Sequence, residues 1–134
     1  MIFERFCEVA NECWGRPAII DGEELFTYGR LLEEASRHRA WLKAALNPQP
    51  GEVIAATLLN SWQFAACVLA LADLRAVFMP CNPQWRAQEL GQLSARVGCR
   101  GVIIEPQFRR EWEEANALGA ERTLAIEDAL RWGA

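Results

Sequence analysis

Five cysteines and one histidine are the residues of this chain whose side chains most often bind zinc. The cysteines are scattered, no two form a C-x-x-C pair, and their positions are Cys7, Cys13, Cys67, Cys81 and Cys99. The single histidine, His38, lies far from all of them in sequence. Because a zinc site needs paired ligands at short spacing, the pattern predicts no metal site. It favours reduced thiols that are buried as small apolar side chains.

Serine and carboxylate side chains offer no catalytic arrangement either. Ser61 and Ser94 lack the G-x-S-x-G context that exposes a nucleophilic serine. Glu111, Glu113 and Glu114 are predicted to form a solvated helix face, since nothing in the sequence sets two carboxylates across a cleft.

His38 continues an apolar series on a predicted helix rather than standing in a polar cluster. The series runs through Leu31, Ala35, His38 and Leu42 in steps of four, three and four residues. This spacing places all four on one helix face. We therefore interpret His38 as a core or rim histidine and not as a catalytic base.

The chain also has no recognisable phosphate-binding loop. Neither GK[ST] nor G-x-G-x-x-G occurs, and Lys43, the one lysine, lies within a predicted helix where a solvated surface position is the default. Phosphoryl chemistry needs positive charge or backbone donors assembled around the transferring group. The sequence therefore predicts no catalytic, cofactor-binding or metal-binding residue.

Composition points to one globular domain over residues 1–134. Half of the 134 residues (51%) are hydrophobic and 24% are charged, the ordinary balance of a folded protein.

The net charge is −4 and no basic cluster occurs, which argues against a nucleic-acid partner. The longest apolar run is far shorter than the ~20 residues of a membrane span. The N-terminus lacks the basic and apolar regions of a signal peptide, so we expect a cytoplasmic protein.

Hydrophobic periodicity predicts the elements that would position any site. We expect a helix over 3–14, a hairpin of strands 17–20 and 25–27 around Asp21-Gly22, and a second helix from residue 28. Its inner face would contain Leu31, Leu32, Ala35, His38, Leu42, Ala45 and Leu46. Strands over 53–58, 101–104 and 122–126, helices over 85–97 and 107–118, and a short helical piece ending at Trp132 follow. Alternation of strands and helices predicts an α/β fold: a parallel, doubly wound sheet with helices on both faces and an N-terminal β-hairpin.

Residues 60–83 form the most distinctive β-α-β element. The helix is apolar at every position over 64–72, so it must be covered on more than one face. The strand after it, 76–79, is expected to be a central parallel strand buried on both faces. Asn60 and Gln63 match a capping box, which favours Asn60 as a helix cap over a ligand-binding role.

Six tryptophans are many for this length: Trp14, Trp41, Trp62, Trp85, Trp112 and Trp132. Trp62 and Trp85 lie near predicted helix starts, where they could face a ligand or another subdomain. Core or interface packing is the interpretation we favour.

Four short motifs resemble those of a known family. Residues 17–22 read P-A-I-I-D-G, 26–31 read F-T-Y-G-R-L, 59–64 read L-N-S-W-Q-F, and 76–83 read A-V-F-M-P-C-N-P before Glu89-Leu90. They resemble P-A-L-V-D-G, L-T-Y-x-E-L, P-N-S-x-E-F and A-V-Y-V-P-L-N-P of the adenylate-forming superfamily, which includes acyl-CoA and aryl-CoA ligases, luciferases and adenylation domains of peptide synthetases. Order and spacing agree over essentially the whole chain, which implies the N-terminal part of a larger AMP-binding domain.

This resemblance implies a parent enzyme that condenses a carboxylic acid with ATP and Mg²⁺ to an acyl-adenylate. The parent would then pass the acyl group to a thiol, either coenzyme A or a carrier protein. Asn60-Ser61 and Asn82-Pro83 resemble the acyl- or aryl-CoA ligase branch more than the amino-acid branch. The family's phosphate loop, its later nucleotide-binding motifs and its lid lysine do not occur here, so the resemblance implies that the 134-residue chain alone is inactive.

Two departures from the family pattern affect local structure. Thr27 keeps the threonine of the family's T-x-x-E cap, but Arg30 replaces the glutamate, so only half of a capping box remains. Arg75 replaces a glycine that follows a helix. Such a glycine usually has a positive φ. Arg75 is therefore expected either to carry backbone strain or to end the helix in another way.

Two alternatives of other classes remain open at this point. One is a stand-alone interaction module that docks on a separate catalytic subunit or self-associates through exposed apolar surface. The other is a flavodoxin-like binding domain, which would need a ligand loop at the carboxyl ends of its strands. The loops around Asn60, 80–83 and 105–106 lack glycine and a convergent charged set. The end of the sequence two residues after Trp132, without a polar tail, favours a fragment whose partner is the remainder of a ligase.

Overall fold

The strands after residue 50 form one parallel sheet, and the two before it form an antiparallel hairpin. The computed structural model describes residues 1–132. The helices are α1 (Ile2–Glu12), α2 (Tyr28–Leu46), α3 (Trp62–Asp73), α4 (Ala87–Val97) and α5 (Arg109–Ala115). The strands are β1 (Pro17–Asp21), β2 (Glu24–Thr27), β3 (Val53–Thr57), β4 (Val77–Pro80), β5 (Gly101–Ile104) and β6 (Thr123–Ala125). Short 3₁₀ helices span Pro106–Phe108, Ala120–Arg122 and Ile126–Arg131.

Helices cover both faces of the sheet, as predicted. Because side chains alternate along a strand, Ile54 and Ile103 face one side while Ala55 and Val102 face the other. The first side packs against α2, α3 and the 3₁₀ helix Ile126–Arg131, and the second side packs against α4 and α5. The α/β fold class with an N-terminal hairpin is therefore confirmed. None of the helices within residues 1–132 has the length and apolar character needed to cross a bilayer.

The position of β4 in the sheet differs from the prediction. The strand order is β4-β3-β5-β6, so β4 is an edge strand of the described sheet and Val77 is 48% exposed. The central strands are β3 and β5, and every residue of β5 is buried. An apolar, β-branched strand is compatible with both an edge position and a central position in a sheet. The order is decided by which side of β3 each crossover returns to, and local composition does not encode that choice.

Helix α3 is covered on two faces, as its all-round apolar sequence predicts. Cys67, Ala70 and Leu71 face the sheet cluster. Ala66 and Leu69 belong to a second cluster, which contains Leu31 and Ala35 of α2 with Phe3 and Phe6 of α1 packed against it.

The N-terminus of α3 corrects the prediction for Asn60. The N-cap residue is Ser61, and it makes no side-chain capping bond. Instead the backbone N–H of Trp62 donates to the Asp21 carboxylate of the hairpin, 3.0 Å away. Gln63 bonds to His38 and to the carbonyl of Ile126 rather than closing a capping box with Asn60. A motif scan does not find this cap, because the carboxylate comes from another element.

Helix α2 begins with the predicted half of a capping box. The Thr27 hydroxyl accepts the backbone N–H of Arg30 at 3.1 Å. The Arg30 guanidinium lies 4.0 Å from the centroid of the Phe26 ring and 3.6 Å from Glu24. A cation–π contact and an ion pair thus occupy the place of the reciprocal glutamate bond.

Some details of the helices also differ from the prediction. On α2, Ala45 is exposed and Trp41 is buried, because the buried stripe of this helix passes through residue 41 rather than 45. Helix α5 ends at Ala115, since Asn116 takes a left-handed φ of 50°. The predicted helix continued to residue 118.

Arg75 has the positive φ that the family's glycine implied. Its φ is 60°, its N–H donates to Ala72, and its carbonyl accepts the N–H of Gly51 at 2.9 Å. A β-carbon is strained in this region of backbone space, whereas glycine is not. Of the two expectations for Arg75, the positive φ is the one observed.

Arg75→Gly is therefore expected to leave stability unchanged or to raise it by at most ~1 kcal/mol, because relief of strain slightly exceeds the added entropy of the unfolded chain. Urea unfolding measures the change. The matched control is Arg75→Ala, which removes the guanidinium but keeps the strained β-carbon. A glycine variant less stable than the alanine variant would contradict the strain argument.

Candidate functional site

The carboxyl ends of β3 and β4 open onto a depression of about 470 Å³. In open parallel sheets, ligands bind beyond the carboxyl ends of the strands where the strand order reverses; here that point lies between β3 and β5, and the depression lies beside it at the end of β3. We therefore take this depression as the candidate site. Its lining residues are Leu58, Leu59, Asn60, Phe64, Pro80, Cys81, Asn82 and Pro83.

The loop after β4 forms one wall, and hydrogen bonds to β3 and within the loop hold it. The Cys81 N–H donates to the carbonyl of Ala56 at 2.7 Å, which extends the pairing beyond β4. The Asn82 side-chain oxygen accepts the N–H of Gln84 at 2.9 Å, the Asx-turn arrangement that asparagine favours. Pro80 and Pro83 fix their own φ angles. This wall is therefore held both by the neighbouring strand β3 and by the loop's own sequence.

The loop after β3 is held from the neighbouring strand. The Glu105 carboxylate, directly after β5, accepts the N–H of Leu59 at 3.1 Å. The N–H of Glu105 donates to the carbonyl of Thr57 at 3.2 Å. Glu105 belongs to the 105–106 loop, and its position directly after a buried strand is the one sequence signal for this role. Its carboxylate accepts a backbone hydrogen bond and so fixes the loop after β3.

Cys81 is the one lining residue with nucleophilic chemistry, and its surroundings make it inert. The side chain is buried, and burial raises the pKa of its thiol to about 11. A thiol with such a pKa carries almost no thiolate at neutral pH and is a weak nucleophile. Burial likewise raises the pKa of Cys67 to about 12. No group of three or more potential metal ligands occurs within residues 1–132.

The two tryptophans that flank the helix starts have different surroundings. Trp62 stacks on Phe26 with ring centroids 4.8 Å apart and meets His38 edge-on, so it packs inside the fold. Trp85 is 36% exposed and lines a neighbouring depression of about 540 Å³. Arg86, Phe108 and Glu111 line that second depression too.

The remaining candidates occupy structural positions. Lys43 is exposed on α2, and Ser94 is buried within α4. His38 is fully buried, as the helical series predicts. None of the three lines the depression at the carboxyl ends of β3 and β4.

The acidic face predicted on α5 is solvated only in part. Glu113 and Glu114 are exposed, as predicted. Glu111 is half-buried, 3.6 Å from the Arg86 guanidinium, and its other carboxylate oxygen is buried without a hydrogen-bond partner. The prediction was wrong for Glu111, because α5 is short and its first turn faces the loop after β4.

The depression at the carboxyl ends of β3 and β4 is mainly apolar, with two asparagine amides and no charged lining residue. This arrangement suits packing against an apolar surface. It does not supply the charge that phosphate chemistry needs. A family model described as AMP-binding enzyme matches residues 6–131.

The chain belongs to the AMP-binding enzyme family.

The curated relatives match more than half of this chain, and the matched region is a small part of their own length. The chain is similar to 4-coumarate–CoA ligase 3 of Oryza sativa subsp. japonica, at 31% identity over 92% of this chain and 21% of that protein. It is also similar to a salicyl-AMP ligase / salicyl-S-ArCP synthetase of Mycobacterium tuberculosis, at 33% identity over 58% of this chain and 14% of that protein. The chain thus spans about a fifth or less of the length of these relatives.

A solved structure shows the same fold. The NpsA N-terminal subdomain of Klebsiella oxytoca superposes with a TM-score of 0.81 at 22% identity, over 97% of this chain and 31% of that one. The match confirms the fold that the motif resemblance implied.

The motifs of this AMP-binding family member meet at one corner of the fold. Asp21 of the first motif caps α3 at Trp62, which belongs to the third motif. The third and fourth motifs together line the depression, through Asn60, Phe64 and the loop from Pro80. The motifs therefore build a scaffold, and sequence spacing alone did not reveal that they are in contact.

Proposed function

We propose that this chain is the N-terminal part of an acid–thiol ligase. The whole enzyme would activate a carboxylic acid with ATP, release pyrophosphate and transfer the acyl group to a thiol. The observation that carries the proposal is the family match over residues 6–131. The rice relative is named a CoA ligase, and this chain corresponds to about a fifth of it.

The role of this segment is structural: it supplies a four-stranded sheet and the crevice at its carboxyl edge. ATP does not fit the crevice by itself, because no cationic side chain lines it and the Glu105 carboxylate beside it would repel phosphate. ATP, Mg²⁺ and the acceptor thiol therefore belong to the whole enzyme. We assign no catalytic step to residues of this chain.

Coenzyme A is the acceptor that we favour. Asn60-Ser61 and Asn82-Pro83 resemble the CoA ligase branch, and both pairs lie beside the crevice. One relative is named as an S-ArCP synthetase, so a carrier-protein thiol is the competing acceptor.

ATP–pyrophosphate exchange tests the proposal. The purified 134-residue chain is expected to show no exchange with any carboxylic acid, because the groups that stabilise a transferring phosphate are not assembled in it. A chimera in which this chain replaces the matching segment of the rice ligase is expected to fold and to retain measurable exchange.

A chimera carrying Leu69→Ala is the matched control, and we expect it to lose folded protein and activity together. Clear turnover by the isolated chain would reveal a site within it and overturn the proposal. A folded chimera without exchange would contradict the scaffold role. Acyl transfer by the active chimera to coenzyme A or to a carrier protein then compares the two acceptors.

The second candidate is an interaction module that docks on a separate catalytic subunit or on itself. The open edge of β4 favours it, since within residues 1–132 that strand pairs only with β3 and Val77 is half-exposed. Unpaired edges are templates for strand addition. Sedimentation of the purified chain tests self-association. If the purified chain is a monomer and the chimera that contains it shows ATP–pyrophosphate exchange, the results favour the ligase segment over the interaction module.

A further inference from the structure

His38 sits at a junction of three elements and has both ring nitrogens in hydrogen bonds. It is fully buried on α2. Its Nδ1 lies 2.7 Å from the carbonyl of Glu34, and its Nε2 lies 3.4 Å from the side-chain nitrogen of Gln63 on α3. The same Gln63 nitrogen lies 3.4 Å from the carbonyl of Ile126, the first residue of the 3₁₀ helix Ile126–Arg131. One amide thus links α2 and α3 to this 3₁₀ helix.

The bonding partners determine which ring nitrogen carries the proton. A carbonyl only accepts, so Nδ1 of His38 must donate to Glu34. In the neutral ring Nε2 is then an acceptor, and the Gln63 –NH₂ group donates both to it and to Ile126. A second proton on the ring would turn Nε2 into a donor that faces another donor. Rotation of the Gln63 amide would place its oxygen next to Nε2 of His38, where it can accept the new proton. The same rotation takes the amide N–H away from the carbonyl of Ile126 and breaks that hydrogen bond.

The geometry points to a pH-sensitive latch: protonation of His38 rotates the Gln63 amide and releases the 3₁₀ helix Ile126–Arg131 from α2 and α3. The other side-chain hydrogen bond to this helix is exposed, since Arg37 donates to the carbonyl of Leu130 at 3.4 Å. Loss of the Gln63 bond therefore removes the less exposed of these two side-chain hydrogen bonds and leaves the apolar packing of Ile126 and Ala129 as the remaining contact with α2 and α3.

Burial is the largest influence on His38, and it lowers the pKa below the ordinary 6.5. The carbonyl bond and the charge of Glu34 raise the pKa, while Arg37 lowers it. From α3 the facing groups are uncharged, namely the Gln63 amide and the Trp62 ring. The hairpin carboxylate, Asp21, is held on the Trp62 backbone.

The 3₁₀ helix contributes the carbonyl of Ile126 to this junction, and its own charged residues follow in sequence: Glu127, Asp128 and Arg131.

Because the pKa of His38 is lower in the folded chain than in the unfolded chain, the unfolded chain takes up the proton first as the pH falls. Stability is complete above the unfolded pKa of 6.5 and declines from there down to the folded pKa. The latch opens over the lower part of this range.

Amide hydrogen exchange of the whole chain tests the latch, with rates corrected for their intrinsic pH dependence. His38 is the only histidine, so its protonation is the only imidazole event. Between about one pH unit above and about one pH unit below the midpoint that NMR titration gives for the imidazole of the folded chain, protection at 126–131 should fall about tenfold more than in β3 and β5. In His38→Gln, which stays neutral, this selective loss should disappear.

Gln63→Met is the second variant, since it keeps the side-chain length but has no amide. The 3₁₀ helix should then exchange rapidly at both pH values, whereas the pH dependence of global unfolding should remain because His38 is still buried. NMR titration of the wild-type imidazole provides a readout that needs no variant. A uniform loss of protection along the chain, an unchanged selective loss in His38→Gln, or an imidazole that titrates at or above 6.5 would each overturn the latch.

Discussion

Leu69→Ala is expected to lower the free energy of unfolding by ~2–5 kcal/mol, the range for truncating a buried leucine. Leu69 is 7% exposed and packs with Leu31, Ala35 and Ala66 where α1 and α2 cover α3. Truncation removes its apolar contacts and leaves a cavity between three helices, which only partly collapses. The loss is a large share of the stability of a domain. Urea or guanidinium unfolding measures it.

Two variants near the start of α3 are the controls for this result. The capping-box interpretation of Asn60 predicts a cost of about 1 kcal/mol for Asn60→Ala. Because Asn60 is exposed and does not cap α3, we now expect a change within about 0.5 kcal/mol. Asp21→Ala should carry the cost of about 1 kcal/mol instead, since Asp21 accepts the N–H of Trp62. An Asn60→Ala cost above that of Leu69→Ala or Asp21→Ala would contradict this placement of the helix.

Trp112→Ala should destabilise the protein by ~3–5 kcal/mol. Trp112 is 3% exposed and fills the space between α5 and the sheet. Its indole Nε1 donates to the buried hydroxyl of Thr57 at 2.9 Å. The alanine variant therefore loses a large apolar side chain and also leaves the Thr57 hydroxyl unpaired. Thermal or chemical unfolding measures the loss.

A double-mutant cycle separates these two contributions. Trp112→Phe keeps most of the ring but leaves the Thr57 hydroxyl unpaired, and Thr57→Val leaves the indole N–H unpaired. Each single change should cost ~1–3 kcal/mol. The double variant should cost clearly less than their sum, because neither polar group remains. Additive costs would show that this hydrogen bond contributes nothing to stability.

Most elements of this fold were predictable because their signals are local. The strand Gly101–Ile104 was placed to the residue, since a short apolar run between a glycine-containing turn and a proline has few alternatives. The glycine that resembling sequences have at position 75 made a positive φ one of two expectations for Arg75, and this is the one observed. The edge position of β4 was not predictable, because it depends on the side to which each crossover returns.

The candidate site, like the fold, was predictable where its signals are local and not where they join distant residues. The loops around Asn60, 80–83 and 105–106 were expected at the carboxyl ends of the strands, and the crevice lies beside them. The contacts that shape it join distant residues, such as Glu105 to Leu59 and Asp21 to Trp62. A window of sequence does not contain both partners of such a bond, so the capping motif at Asn60 was favoured over the true cap.

The bond between Asp21 and Trp62 also leads us to expect an order of events during folding. Its partners are 41 residues apart, so it becomes available only after the hairpin has docked beside α3. Forming it requires closure of a long loop, which carries an entropic cost that local contacts avoid. The hairpin itself and the middle turns of α3 need no such closure and can form early. We therefore expect the first turn of α3 to become ordered late, when the hairpin docks and completes the N-terminal half of the molecule.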